Sequence, residues 1–241
     1  MEITKKGKLY IFFGPSGIGK DYVLNQFINF GKNNSVPISL VARYFTRVSR
    51  ENEVNDEYHS YGNNITDVCS PDNFFAKING EYVGINRKQI KTALESGENL
   101  VLATGSIDLI EQIKEAFRDN LDDLRLIFVN APGLNFDYYM ELEKTRNPNL
   151  SCEKISTSAI ERWKQSELII NYYKQNMSLF DYAYLNITKN SFRSISNKFS
   201  DMFFDNFFKV IIDGKNEKGP NWVCLGETID NNQKDNNGFK R

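Results

Sequence analysis

The first apolar segment, Leu9-Tyr10-Ile11-Phe12-Phe13, has no polar interruption and ends at glycine. That is the pattern of a short strand buried on both faces. After it, Val23, Leu24, Phe27 and Ile28 recur at helical spacing up to Gly31, which predicts a helix with a glycine stop. Ile38–Tyr44 reads as a second strand. Residues 45 to 84 are polar and irregular, and are expected to form a small inserted subdomain. Asn86 is placed to cap a helix from Arg87 to Ser96 that Gly97 ends. Leu100–Ala103 predicts another buried strand, and Ser106 caps a helix with Ile107, Ile110, Ile113 and Phe117 inward. A strand at Leu124–Val129, a helix at Asp137–Lys144 and a polar loop from Arg146 to Ser156 follow. Ser158-Ala159-Ile160-Glu161 has the S-x-x-E form of a capping box and is expected to open a long helix ending near Met177. Tyr182–Ile187 predicts the last strand, and Phe199–Ile212 a packed C-terminal helix. From Gly214 onward the Asn-, Lys- and Asp-rich sequence is expected to be mobile, with Trp222-Val223-Cys224-Leu225 as its one anchor. Strands alternating with helices imply an α/β fold, its sheet mostly parallel and its crossovers right-handed.

Composition narrows the function classes. The chain has 241 residues, 40% of them hydrophobic, enough for one sizeable core. A net charge of −1 lacks the basic excess of nucleic-acid binders, so no nucleic-acid partner is expected. No apolar run reaches the roughly 18 residues of a membrane span, and Leu9–Phe13 is too short for a signal segment. A cytoplasmic protein without a membrane partner is the expectation; the sequence leaves oligomeric state open. Cys69, Cys152 and Cys224 are widely separated, without metal-ligand spacing. His59 is the only histidine, which leaves His-dependent catalysis little to work with.

Chemistry enters with Gly14-Pro15-Ser16-Gly17-Ile18-Gly19-Lys20. The G-x-x-x-x-G-K pattern follows a predicted strand and opens a predicted helix, the context that makes it a phosphate loop. Glycines let successive backbone N–H groups curl around phosphate oxygens, and the helix N-terminus adds partial positive charge. Lys20 is expected to reach the β and γ phosphates of ATP. Asp21 stands where Ser or Thr commonly binds Mg²⁺. A carboxylate is also a good ligand for that cation, so Asp21 is the candidate metal residue. No acid follows the Leu100–Ala103 strand, which ends in Thr104-Gly105-Ser106.

With these residues in view, the chain resembles the guanylate kinase superfamily, and within it ribose 1,5-bisphosphate phosphokinases. Four stretches carry the resemblance: Gly14–Asp21, Arg43-Tyr44-Phe45-Thr46-Arg47, Asn79-Gly80-Glu81-Tyr82-Val83-Gly84, and Val101-Leu102-Ala103-Thr104-Gly105-Ser106. It implies a three-layer P-loop kinase fold over residues 1–190. An acceptor-binding insertion would span about 45–86 and a lid about 145–158, with residues 191–241 forming a C-terminal helix and tail. It also implies that Arg47 and Arg50 hold an acceptor phosphate, with Tyr58 and Tyr82 beside it. Arg146 and Arg162 would be the lid arginines on the transferring phosphoryl group, and Asn186 a contact to adenine. The glutamate and serine that read guanine in that family align with Phe74 and Ile85, which makes Phe74 a candidate acceptor contact of altered chemistry.

The expected reaction is ATP- and Mg²⁺-dependent phosphoryl transfer to a small acceptor that already bears a phosphate. A phosphate oxygen is largely deprotonated at neutral pH, so no general base is needed. A ribose bisphosphate-type sugar phosphate is the favoured acceptor. A nucleoside monophosphate such as GMP is the alternative, and a non-catalytic interaction module the reading from another class.

Overall fold

The computed structural model describes residues 6–49, 55–78, 80–131, 133–185 and 207–213. The strands β1 (Leu9–Phe13), β2 (Ile38–Leu40), β7 (Asn99–Thr104), β8 (Leu124–Asn130) and β9 (Tyr182–Leu185) form one sheet. Its order is β2-β7-β1-β8-β9, and every pairing in it is parallel. Strand β1 lies at the centre with all five residues buried, as its uninterrupted apolar run requires.

Alternation along β1 builds two cores. Leu9, Ile11 and Phe13 face one side, packed with Ile110 and Ile113 of α4 (Ile107–Ala116) and Ile169 and Tyr173 of α6 (Cys152–Gln175). Tyr10 and Phe12 face the other, against Val23, Leu24 and Phe27 of α1 (Lys20–Asn33). Residues 207–213 are helical and close this second side. Phe208 lies with its ring centroid 5.0 Å from that of Phe27 and 5.8 Å from that of Phe30. The layers are helix, sheet, helix.

A second, four-stranded sheet, ordered β4-β3-β6-β5, is formed by residues between β2 and the helix that starts at Arg87. It contains β3 (Arg43–Phe45), β4 (His59–Ser60), β5 (Asn73–Ile78) and β6 (Glu81–Asn86), with the short helix α2 (Ile65–Val68). The single strand expected over Ile38–Tyr44 is two strands in two sheets, with Val41 and Ala42 buried at the crossing. The irregular structure expected over 45–84 is also corrected. Polar residues there alternate with apolar ones, and Phe74, Ala76, Val83 and Ile85 supply the buried face.

Helix α3 (Arg87–Glu95) starts as expected: the Asn86 side chain accepts from Gln89 N–H, and Gly97 follows at φ 86°. Helix α5 (Phe136–Arg146) and α6 form an antiparallel hairpin whose connection is only residues 147–151. The capping box at Ser158 is not used. Ser151 caps α6, accepting from Lys154 N–H, and Ser158 Oγ donates to Glu143 instead. The polar residues ahead of Ser158 are helix, not loop. They are the exposed face of the first turns of α6.

Candidate active site

Between the two sheets lies a cleft of about 630 Å³, within the usual range for small-ligand sites. One wall is the loop joining β1 to α1. Gly17 and Gly19 adopt φ 78° and 88°, a left-handed backbone that glycine enters without strain. A Cβ on Gly14 would lie 2.0 Å from the Val129 carbonyl oxygen, so the chain can pass there only as glycine. Lys20 Nζ turns back into the loop and donates to the carbonyls of Gly14 at 2.9 Å and Pro15 at 2.5 Å. Gly105, just beyond β7, abuts this arrangement: a Cβ there would be 3.0 Å from Gly14 O and 4.0 Å from Lys20 Nζ. Asp21 is exposed in the first turn of α1 and lines the cleft.

The α5–α6 hairpin is fastened onto this loop from outside. Tyr138 Oη donates to the Gly17 carbonyl at 2.8 Å, and Arg162 Nη1 to Ser16 Oγ at 2.9 Å. Arg162 Nε also lies 2.6 Å from Glu143 Oε1. Leu142 packs so close that a Cβ on Gly17 would be 2.4 Å from its Cδ2. Tyr139 is fully buried and hydrogen-bonded to Ser166. Burial pushes its phenol up to about 12, so it stays neutral and acts as a packing and hydrogen-bonding group. Arg146, at the end of α5, is exposed and reaches the cleft.

The opposite wall is a tier of rings and cations on β3 and β4. A strand alternates its side chains, which puts Arg43, Phe45 and Arg47 on one face. Phe45 and Tyr61 stack with centroids 5.0 Å apart. The Arg47 guanidinium lies 5.1 Å from the Phe45 ring and 4.8 Å from that of Tyr61, and Arg43 lies 5.7 Å from Phe45. Arg43 Nη2 is 2.7 Å from His59 Nε2. An arginine can only donate, so Nε2 is the accepting side of this contact, and Nδ1 lies 3.2 Å from Asp56 Oδ1.

No family model matches the chain. Among curated proteins, the guanylate kinase of Clostridium acetobutylicum is 29% identical over 190 residues, 77% of this chain and 81% of that protein. The guanylate kinase of Buchnera aphidicola is 25% identical over 174 residues, 69% of this chain and 81% of its own length. Among solved structures, guanylate kinase from Anaplasma phagocytophilum superposes with a TM-score of 0.56 at 15% identity, covering 89% of each chain. These likenesses support the guanylate kinase superfamily of P-loop kinases, in agreement with the glycine loop and the strand motifs.

On this guanylate kinase-like frame, the structure brings together Lys20, Asp21, Arg47, Tyr82, Arg146 and Arg162, which all line the cleft with Ser16 and Gly17. Pro15 and Ile18 are buried under the loop, so they shape it through backbone. Arg50 and Asn186 lie outside the described residues. Two expected acceptor contacts lie elsewhere. Phe74 is 2% exposed, paired in register with Ile85 and covered by the Arg87 guanidinium at 4.5 Å. Its side chain belongs to the core. Tyr58 lines a separate small cavity with Val41, Ala42 and Glu98. Strand alternation decides this: His59 and Tyr61 flank Ser60 and face the cleft, while Tyr58 is one residue out of phase. The signal was in the sequence, since Tyr61 is the tyrosine two residues after His59. Arg43 and Glu143 were also missed. Arg43 was legible as the i, i+2, i+4 partner of Phe45 and Arg47, but Glu143 lies on a helix face whose partner only tertiary structure supplies.

Proposed function

We propose that this P-loop kinase catalyses transfer of the γ-phosphoryl group of ATP to a small acceptor already bearing a phosphate, with nucleoside monophosphates, GMP first, as the acceptor class. The observation that carries the reading is the two-walled cleft. Lys20 and the amides of 14–20 lie on one side, and arginines on a rigid aromatic tier lie on the other. Relatives named guanylate kinase along three quarters of the chain support the acceptor class.

The residues fit the cofactors. The glycine geometry of the loop suits phosphate oxygens, and Asp21 is one carboxylate at the loop's end. Mg²⁺ is commonly held by one or two carboxylates together with substrate phosphates and waters. When bound, the cation would neutralise charge on the phosphates. In this assignment Lys20 binds the β and γ oxygens, Arg146 and Arg162 approach the transferring group, and Arg47 orients the acceptor with Tyr82 beside it. Catalysis of this kind is mainly positioning and charge stabilisation, which agrees with a cleft whose sole histidine is already engaged by Arg43 and Asp56.

A second reading is a sugar bisphosphate as acceptor. It is favoured by the burial of Phe74 and Ile85, which leaves no polar side chain at those positions to read a purine. The placing of Arg43 beside Arg47 favours it too. Coupled ADP release with GMP, AMP, ribose 5-phosphate and ribose 1,5-bisphosphate separates the two. Selective turnover of GMP supports the first reading, and selective turnover of a sugar phosphate replaces it with the second. No turnover together with no ATP binding removes the kinase assignment.

A further inference from the structure

We infer that Glu143 is a positioning residue that aims Arg162 at the phosphate loop; the inference rests on the kinase reading above. Both side chains are withdrawn from solvent, Glu143 at 1% and Arg162 at 7% exposure. Arg162 presents two edges to two partners. Its Nε is 2.6 Å from Glu143 Oε1, a charge contact whose N–H is not aligned as a hydrogen bond. Its Nη1 donates to Ser16 Oγ in the loop. An arginine stem has many rotamers, and a carboxylate behind Nε selects those with the terminal nitrogens forward.

The carboxylate is itself held. Glu143 Oε2 accepts from Asn147 Nδ2 at 3.1 Å, in the connection after α5, and from Ser158 Oγ at 2.7 Å, on α6. It is thus gripped from the connection and from α6. Further along α6, Ser166 Oγ donates to the Arg162 carbonyl and pairs with Tyr139. Ser158 lies in the interior of α6, and its hydroxyl goes to Glu143 instead of a helix end.

A buried ion pair is a weak source of net stability, since apolar residues of similar volume do as well or better. What the pair adds here is orientation. Glu143 also partly neutralises Arg162 next to the loop, so its guanidinium stands near the phosphate seat without reorganisation as charge develops. The structure therefore assigns Glu143 to the transfer step rather than to substrate binding.

The test is a double-mutant cycle of Glu143→Gln, Arg162→Met and both, with thermal stability followed in parallel. Glu143→Gln is expected to lower kcat roughly 10–100-fold, the scale seen when a partner that orients a metal ligand is removed. The KM values for ATP and acceptor should stay within about threefold. The double variant should be no slower than Arg162→Met alone, because the two residues act as a unit. A merely structural Glu143 would lower the melting temperature and slow both backgrounds equally; that result, or an unchanged kcat in Glu143→Gln, overturns the inference. If Glu143→Gln does not fold, Ser158→Ala loosens the same carboxylate. A several-fold loss of kcat that disappears in the Arg162→Met background supports the inference, and no loss overturns it. Should the wild type turn over no acceptor, the kinase reading fails separately. The cycle is then read from binding of Mg-ADP with aluminium fluoride. Selective weakening of that complex by Glu143→Gln, with Mg-ADP alone unaffected, supports the inference; equal binding, or none in the wild type, overturns it.

Discussion

The two walls of the cleft are built on different principles. The phosphate loop is held by backbone and burial: glycines at close approaches, carbonyls that receive Lys20 and Tyr138, and an ion pair that is almost solvent-free. The facing wall, which the proposed function gives to the acceptor, is held by side chains that cross between short strands. Its Phe45, Tyr61, His59 and arginines stack on one another while half exposed. Backbone geometry of the first kind serves any nucleoside triphosphate. A side-chain tier of the second kind can change its ligand by a few substitutions while the fold remains.

The largest expected effect breaks the first wall. Lys20→Ala should lower kcat on the order of 10³-fold, the scale of losing one preorganised charge-stabilising donor. Burial of the helix is untouched, since Lys20 packs into the loop rather than the core, so the melting temperature should hold. ADP release beside a thermal melt checks both. Near-wild-type turnover would mean that the amides of the loop, without the ammonium, carry the reaction.

On the second wall the effect should be smaller and confined to one substrate. Arg47→Ala removes a guanidinium that two rings already orient. Hydrogen bonds to charged groups contribute about 1.5–3 kcal/mol each, so acceptor KM should rise roughly 10–100-fold with ATP KM unchanged. Initial rates over a matrix of both concentrations report it. A change in ATP KM instead would place Arg47 with the nucleotide and dissolve the distinction between the walls.

Gly17 tests how tightly the hairpin is fastened to the loop. An alanine there would need φ near +78° and a Cβ 2.4 Å from Leu142 Cδ2. The backbone cost is about 1–2 kcal/mol, and the clash falls on the flexible end of a leucine. A fall in melting temperature of roughly 2–8 °C and a several-fold rise in ATP KM are expected. Adding Leu142→Ala relieves the contact but not the backbone strain, so recovery should be partial. Full recovery would show that packing, not conformation, makes glycine necessary.

What could be read from the sequence follows the same division. Leu9–Phe13, the glycine loop and the Asn86 and Ser106 caps are local patterns, and each forms where its residues predicted. The parallel sheet followed from strands alternating with helices. The errors fall where a residue's role depends on a distant partner. Leu40 ends one sheet and Arg43 begins another, with Val41 and Ala42 between them, although Ile38–Tyr44 reads as one strand. Ser158 has the form of a cap, yet Glu143 recruits it. Phe74 aligned with a base-reading position, but strand pairing with Ile85 turns it into the core.

Tyr58 and Tyr61 give the finest test of the acceptor wall, because they differ by three positions and face opposite ways. Tyr61 stacks on Phe45 and carries Arg47 on its ring. Tyr58 lies in another cavity, where burial raises its phenol above the ordinary value. Tyr61→Leu removes a cation–π contact of about 0.5–1 kcal/mol and an aromatic stack of similar size. Acceptor KM should rise about three- to tenfold, with kcat and ATP KM nearly constant. Tyr58→Phe deletes only a hydroxyl outside the cleft and should leave all three unchanged. The opposite outcome, a defect in Tyr58→Phe and none in Tyr61→Leu, would mean that β4 shifts by one residue when the acceptor binds, exchanging the faces of the strand. The acceptor wall would then be assembled by its ligand, whereas the nucleotide wall stands ready before its own arrives.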